Sequence, residues 1–124
     1  MIQLYRALPY HAPRTIYICR ERGRTMPNAV FFVSYKLKKG ASVPDFLQAA
    51  EKLNDGYMCK QPGYISWQQL ADGDTWADYL AFETMADAER VETASGPNEL
   101  AEHFYSFINL NSCRTHFFTV AKSY

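Results

Sequence analysis

The sequence lacks the features that mark several large functional classes. Its 13 basic and 13 acidic residues leave no net formal charge, so composition does not indicate a nucleic-acid or anionic-membrane partner. No apolar run approaches the ~20 residues that a membrane-spanning helix needs. The sequence also has no glycine-rich phosphate loop, serine nucleophile elbow, zinc motif or nucleotide fingerprint. These absences leave a globular domain whose chemistry has to be read from single residues.

Cysteine is scarce as well. Cys19, Cys59 and Cys113 have neither the spacing of a metal site nor a CxxC pair. An odd number of cysteines without a secretory signal favours reduced thiols and a cytoplasmic protein. We therefore expect three small, packed thiols and no bound metal.

The 124 residues suffice for one domain with its own core. Residues 1–26 carry five arginines against the single acidic residue Glu21, whereas residues 27–124 carry eight basic and twelve acidic residues. This break predicts a basic N-terminal extension over residues 1–26 and a domain over residues 27–124. Three interpretations of the extension stay open: a mitochondrial-type presequence, a misassigned start before Met26, or a disordered or edge-strand segment.

Aromatic residues are abundant, with nine Tyr, eight Phe and two Trp. The centre of the chain predicts a hairpin, with strands over 64–70 and 76–83 and a turn over 71–75 that contains Asp-Gly. Two further β-branched and aromatic runs predict a first strand over 30–37 and a last strand over 114–120.

Helices are predicted between these strands. Ser42 begins a capping-box pattern, and the apolar stripe that follows predicts a helix ending near residues 59–60. Thr84 caps a second helix, which is broken over residues 95–97. A third helical piece is predicted through Ile108, closed by the polar residues 109–112.

The order strand, helix, strand, strand, broken helix, strand is the ferredoxin-like split βαβ pattern. It predicts an α+β fold with a four-stranded antiparallel sheet and both helical layers on one face. Both alternations of the first strand are apolar, with Phe31, Val33 and Tyr35 on one side and Val30 and Phe32 on the other. Because an exposed apolar face usually marks an interface, we expect a homodimer in which sheet packs on sheet.

Several short motifs resemble a known family. They are the strand over 31–37, the Lys39-Gly40 turn, the Gln61-Pro62-Gly63-Tyr64 junction and the strand over 76–83 running into residues 84–88. Over residues 29–122 the chain resembles the dimeric α+β-barrel proteins, and most of all the antibiotic-biosynthesis-monooxygenase-like group. The resemblance implies a homodimer whose two sheets form a barrel.

That family includes cofactor-independent oxygenases acting on aromatic polyketides, haem-degrading enzymes and members without known activity. The resemblance implies a cofactor-independent monooxygenase acting on an aromatic or polyketide-like small molecule. A non-catalytic dimeric module that binds a small ligand or a partner stays open as the alternative, because fold does not fix function.

The resemblance also suggests site residues. Quinone-forming members use Tyr, Asn, Trp and Arg between sheet and helices, and Tyr35, Trp67 and Asn109 match three of these types. Among the residues that haem-degrading members use, only their His has a counterpart here, His103. Since Glu99 and Glu102 flank His103, a solvated surface histidine is the alternative.

His116 is the candidate general base, with Tyr35 as hydrogen-bond donor. Alternation places His116 on an apolar strand face with Phe118 and Val120, where its pKa can lie near working pH. The alternative is a core histidine that is simply hydrogen bonded.

Three further aromatic or charged positions complete the candidate site. Together with Tyr35 and Trp67, Trp76 and Tyr79 are expected to line a flat pocket for an aromatic ligand, or else to be core and dimer interface. Asp78 is an unusual charge among aromatics. We expect it to pair with Lys36 or Arg114 across strands, with a role as base as the second interpretation.

Overall fold

The computed structural model of the chain describes residues 26–93 and 98–124. The predicted extension, apart from Met26, and the predicted helix break over 95–97 lie outside the described residues. Four strands and three helices follow one another in this order: β1 (Ala29–Leu37), α1 (Val43–Gly56), a 3₁₀ turn (Met58–Lys60), β2 (Tyr64–Asp72), β3 (Thr75–Phe82), α2 (Met85–Thr93), α3 (Glu99–Tyr105) and β4 (Ile108–Thr119).

The strands form one antiparallel sheet in the order β2-β3-β1-β4. β1 is therefore central, and β2 and β4 are the two edges. Phe46 of α1, Ala88 of α2 and Phe104 of α3 all belong to one buried core with residues of the sheet. The predicted ferredoxin-like arrangement, with helices packed on one sheet face, is confirmed.

Local capping signals fix two helix starts as predicted. The Ser42 hydroxyl accepts a hydrogen bond from the Asp45 N–H at 3.3 Å, and the Thr84 hydroxyl accepts one from the Asp87 N–H at 3.1 Å. These bonds satisfy backbone donors that the first helical turn leaves unpaired. The predicted end of α1 is too late, because the backbone leaves the helical conformation at Tyr57 and continues as the 3₁₀ turn.

The hairpin turn is shorter than the predicted five residues. Asp72 pairs with Thr75, so only two residues remain between β2 and β3. Gly73 occupies the first of them with a φ of 64°, which is accessible to glycine without steric cost.

The start of β4 also differs from the prediction of a helix through Ile108. Ile108 is instead paired with Leu37 of β1, and the Lys38 N–H donates to the Phe107 carbonyl at 2.8 Å. Pairing with the central strand outweighs the local helical spacing. Between Ser34 and Lys36 the register shifts, and the Ser112 hydroxyl accepts the Lys36 N–H at 2.9 Å.

Register divides the sheet side chains between two faces. The covered face packs against the helices, and Phe46 of α1 lies at its centre with no exposed surface. The open face carries cross-strand rows of apolar and aromatic side chains, in which Phe32 lies between Tyr79 and His116. Phe118 on this open face is 50% exposed.

The expectation of three reduced thiols is wrong at Cys59, which is disulfide-bonded, whereas Cys113 is a free thiol. An odd number of cysteines leaves room for one bonded pair. Within the described ranges, every helix is too short or too polar to cross a membrane.

Candidate active site

Asp78 is the buried charge of the described part of the chain, with 4% of its surface exposed. It lies on the covered face of β3, in phase with Trp76 and Leu80. The register places Gln69 of β2 and Val33 of β1 directly beside it. Strand alternation therefore forces a carboxyl group onto the face of β3 that otherwise carries apolar side chains.

Tyr35 of β1 provides the first partner of this carboxyl group. Its hydroxyl donates a hydrogen bond of 2.8 Å to Asp78 Oδ1, and the tyrosine is 2% exposed. The Phe46 ring packs edge-on against the rings of Tyr35 and Trp76, with centroid distances of 6.1 Å and 5.3 Å. These rings hold the Tyr35–Asp78 pair in an apolar wall.

Trp67 and Gln69 of β2 add two N–H donors. Both side chains hydrogen bond the Asp78 carboxyl group and lower its pKa, although neither Trp67 Nε1 nor Gln69 Nε2 has the geometry of a well-aligned hydrogen bond. Trp67 is held edge-on against Phe104 at 5.6 Å. Because buried polar groups are nearly always paired, the Asp78 carboxyl group is the acceptor of these two donors.

Burial raises the pKa of Asp78 from 3.8 to about 7, and hydrogen bonding by Tyr35, Trp67 and Gln69 offsets part of this effect. A carboxyl group with a pKa near neutrality is populated in both protonation states, so it can accept a proton and return it. Such a shift, combined with specific partners, is typical of functional groups.

The neighbouring titratable groups remain neutral. Burial, followed by the negative charge of Asp78, raises the pKa of Tyr35 well above its ordinary value. Burial and the same charge also raise the pKa of the Cys113 thiol. Tyr35 is therefore a persistent hydrogen-bond donor, and Asp78 is the group of this cluster that titrates near pH 7.

The cluster is closest to solvent on the side of β2. Asp78 and Tyr35 are buried, whereas Trp67, Gln69 and Trp76 are each partly exposed. Trp67 and Gln69 belong to the edge strand β2, and Trp76 belongs to the neighbouring strand β3.

The structure brings together three of the residues selected from the sequence and separates others. Tyr35, Trp67 and Trp76 share the covered face, but Tyr79 and His116 lie on the open face. His116 is exposed and stacks on Phe118 at 5.6 Å with an interplanar angle of 18°. His116 and Tyr35 are thus on opposite sides of the sheet within one copy of the chain.

Asn109 and His103 occupy exposed positions. The side-chain oxygen of Asn109 accepts the Asn111 N–H at 3.2 Å. Asn109 lines an open depression of about 360 Å³ whose other lining residues are Lys38, Lys39, Ile108, Leu110 and Asn111. His103 lies edge-on to Phe107 at 5.2 Å.

The expected ion pair of Asp78 is wrong. Lys36 pairs with Asp74 at 3.5 Å, and Arg114 donates to the carbonyls of Asn111 and Cys113. Register places Lys36 and Arg114 on the open face, so neither points towards the covered carboxyl group.

Sequence reasoning missed Gln69 and undervalued Asp78. The available signal was the phase of β3, where Asp78 follows the same alternation as the buried Leu80 and Phe82. For Gln69 the chain offers no comparable signal, because an amide in an edge strand is ordinarily a surface group. Among the described residues no three His, Cys, Asp or Glu side chains are grouped to hold a metal.

No protein-family model matches the chain, and no curated protein matches it significantly.

Solved structures do match. SnoaB, a cofactor-independent oxygenase from Streptomyces nogalater, aligns with a TM-score of 0.62 and 11% identity over 79% of this chain and 97% of SnoaB. The monooxygenase from the gene ActVA-Orf6 of Streptomyces coelicolor, in complex with nanaomycin D, has a TM-score of 0.53 and 20% identity. The alignment covers 79% of this chain and 91% of the monooxygenase. Hydroxynitrile lyase from Passiflora edulis has a TM-score of 0.53 and 16% identity. The alignment covers 80% of this chain and 99% of the lyase.

Identities this low show a shared fold and leave the activity open. The aligned regions nevertheless span almost the whole of each of these proteins. The resemblance inferred from short sequence motifs is confirmed at the level of architecture: the chain has the fold of the antibiotic-biosynthesis-monooxygenase-like proteins.

Proposed function

We propose that the protein is a cofactor-independent monooxygenase-like enzyme in which Asp78 is the general base. The observation that carries this proposal is the buried Asp78 carboxyl group, which is hydrogen bonded to Tyr35 at 2.8 Å and whose pKa burial raises to about 7. SnoaB and the ActVA-Orf6 protein, both oxygenases, share its fold. The substrate class is a small aromatic or polyketide-like molecule with an acidic C–H group.

The chemistry requires only proton transfer and positioning from the protein. Ionised Asp78 removes a proton from a CH₂ group that is activated by an adjacent ring or carbonyl. The resulting carbanion supplies electrons to dioxygen, and a C–O bond forms to give a peroxide anion. Protonated Asp78 returns its proton to the peroxide, and loss of water leaves a ketone, so that CH₂ and O₂ become C=O and H₂O. Holding the reactants in place supplies the remaining acceleration.

The surroundings of Asp78 fit such a substrate. Trp67 and Trp76, both partly exposed, offer flat apolar surfaces, and Tyr35 fixes the carboxyl group through one of its oxygens. A purely structural core gains nothing from an ionisable group whose burial disfavours its charged form. This argument favours an enzyme over the non-catalytic binding module.

We also propose that a second copy of the chain covers the open face. Phe32, Tyr79, His116 and the half-exposed Phe118 are neighbours on this face, and a clustered apolar surface usually marks an interface. A two-fold axis would place the same surface of both copies in contact. The resulting homodimer would bury His116 between the sheets.

Oxygen uptake with a panel of hydroxylated anthrones tests the proposed reaction. Asp78→Asn keeps the size of the side chain and an acceptor for Tyr35, and it is expected to lower kcat at least about 100-fold, the usual contribution of a general base. Asp74→Asn, an exposed aspartate on the hairpin turn, is the matched control and should leave kcat unchanged.

His116→Ala serves as the competing variant, because the sequence alone selected His116 as the base. Loss of oxygen uptake in His116→Ala together with full activity in Asp78→Asn would overturn the assignment of Asp78. An intact rate in both variants would overturn the acid–base role of either group.

A further inference from the structure

The ionised Asp78 carboxyl group is surrounded by hydrogen-bond donors. The Tyr35 hydroxyl donates to Oδ1 at 2.8 Å, and the N–H groups of Trp67 and Gln69 donate to the same carboxyl group. Because a carboxylate only accepts hydrogen bonds, these donors suit it well. The cluster is thus arranged for the form of Asp78 that carries the negative charge.

Protonation of Asp78 reverses this requirement. A protonated carboxyl group has an O–H donor of its own, and a buried donor without an acceptor destabilises the protein. Because the pKa of Asp78 is about 7, the protonated form is well populated in the resting protein, and it also forms whenever Asp78 acts as a base. A neighbouring side chain therefore has to provide an acceptor.

Gln69 is placed to provide it. Gln69 lies directly opposite Asp78 in the register of β2 and β3, and its side chain hydrogen bonds both Asp78 and the Tyr35 hydroxyl. The Nε2 atom is buried, whereas the residue as a whole is partly exposed. An amide carries donors on its nitrogen and an acceptor on its oxygen, and rotation about the last side-chain bond of glutamine is soft and nearly two-fold. Such a rotation exchanges donor and acceptor without moving the strand.

The other neighbours of the carboxyl group do not offer an equivalent acceptor. The indole of Trp67 only donates, and the sulfur of Cys113 is a weak acceptor. The Tyr35 oxygen can accept from protonated Asp78 only if its own O–H finds another acceptor, and Gln69 is the amide beside it. Both routes for the new proton therefore end at the Gln69 oxygen.

Two other titratable side chains face Asp78 within the described ranges. Tyr35 of β1 and Cys113 of β4 interact electrostatically with it, and burial raises the pKa of each of these groups, so both stay neutral near pH 7. From the helices, the rings of Phe46 and Phe104 pack against the cluster, and neither ring titrates. Proton uptake near neutral pH in this cluster is therefore that of Asp78.

We infer that Gln69 is a positioning residue whose side-chain amide reverses when Asp78 takes up a proton. With Asp78 ionised, Gln69 Nε2 donates to the carboxylate. With Asp78 protonated, Gln69 Oε1 accepts the new O–H, either directly or through the Tyr35 hydroxyl. The amide thereby holds the carboxyl group in one place in both of its forms. The role of this reversal in catalysis rests on the proposed function, whereas the reversal itself requires only that Asp78 titrates.

Carbon-13 NMR of protein labelled at the aspartate carboxyl groups follows Asp78 without any turnover, and Asp78→Asn identifies its signal. Trp67→Phe removes a donor that serves only the ionised form, so it should raise the pKa of Asp78 by about one pH unit or more, as expected for a lost hydrogen bond to a charged group. Gln69→Leu removes a donor from one form and an acceptor from the other, so the two effects oppose each other and the pKa should rise by less than about half as much. Gln68→Leu, the neighbouring glutamine on the open face, is the control and should leave the pKa unchanged.

The side-chain amide protons of Gln69 in the nitrogen-15-labelled wild type report the reversal without any substitution. Their exchange with water, taken relative to that of the exposed Gln68 amide at the same pH, should be about tenfold slower above the Asp78 midpoint than below it, because the hydrogen bond to the carboxylate is lost on protonation. In Asp78→Asn this relative rate should not depend on pH.

Circular dichroism establishes that each variant is folded. A Gln69→Leu variant that raises the pKa of Asp78 as much as Trp67→Phe would overturn the inference, since Gln69 would then be a donor only. A relative exchange rate that does not change across the titration, or an Asp78 that titrates at the ordinary aspartate value, would overturn it as well. The expected signatures in a wild-type protein that shows no oxygen uptake would uphold the reversal of Gln69 and reject the oxygenase function.

Discussion

Replacing Asp78 with asparagine is expected to change how stability depends on pH. In the unfolded chain an aspartate titrates at its ordinary value of 3.8, whereas burial raises the pKa of folded Asp78 to about 7. Between these values the folded protein holds a proton that the unfolded chain has released. The free energy of unfolding of the wild type therefore falls as pH rises through this window.

The size of the effect follows from the two pKa values. Each pH unit between them corresponds to about 1.4 kcal/mol, so ionisation of Asp78 lowers the free energy of unfolding by roughly 4 kcal/mol once the pH exceeds the folded pKa. Asparagine does not ionise, and its side-chain oxygen still accepts the Tyr35 hydroxyl. Relative to the wild type, Asp78→Asn should gain this amount as the pH rises from the unfolded pKa of 3.8 to the folded pKa of about 7.

Urea denaturation of both proteins across that pH range measures the difference directly. Other carboxyl groups with altered pKa values, such as Glu51 and Asp55, whose pKa values burial raises, are present in both proteins and cancel. Asp74→Asn should follow the wild-type curve. Parallel curves for wild type and Asp78→Asn, with a constant offset at every pH, would refute the assignment of a near-neutral pKa to Asp78.

Two further predictions concern the open face and the glycines. Phe32→Lys is expected to turn a dimeric wild type into a folded monomer, as measured by light scattering at micromolar concentration. The control Gln48→Lys, on the exposed side of α1, should remain dimeric. A monomeric wild type would contradict the proposed dimer. Gly63→Ala is expected to lower the free energy of unfolding by about 3 kcal/mol, because Gly63 has a φ of 77° and an added Cβ meets the Asp87 side chain. Gly73 has a φ of 64° and open space around it, so Gly73→Ala should lower the free energy of unfolding by only about 1 kcal/mol. Equal losses for the two variants in urea denaturation would show that the contact with Asp87 does not matter.

Much of the fold is predictable from sequence because its signals are local. The Ser42 and Thr84 caps, the alternation of β1 and the Asp-Gly turn each act within a few residues. The early start of β4 is different. Ile108 continues a helical spacing along the chain, and only the distant strand β1 provides the hydrogen bonds that make it extended.

The candidate site was predictable in part for the same reason. Tyr35 and Trp67 follow from alternation and from the family resemblance, and both reach the covered face. The partner of Asp78 depends instead on which face each neighbouring strand presents, and that is a matter of register. Gln69 becomes noticeable only when its buried amide is seen beside Asp78.

The Tyr35–Asp78 hydrogen bond also has a consequence for folding. Asp78 and Gln69 belong to one hairpin and are brought together by a two-residue turn, whereas Tyr35 is 43 positions from Asp78 along the chain. Contacts between residues close in sequence form faster than contacts that first require a long loop to close. An intermediate containing only the hairpin would hold Asp78 without its phenolic partner, so the complete candidate site would arise only when the central strand β1 pairs with β3.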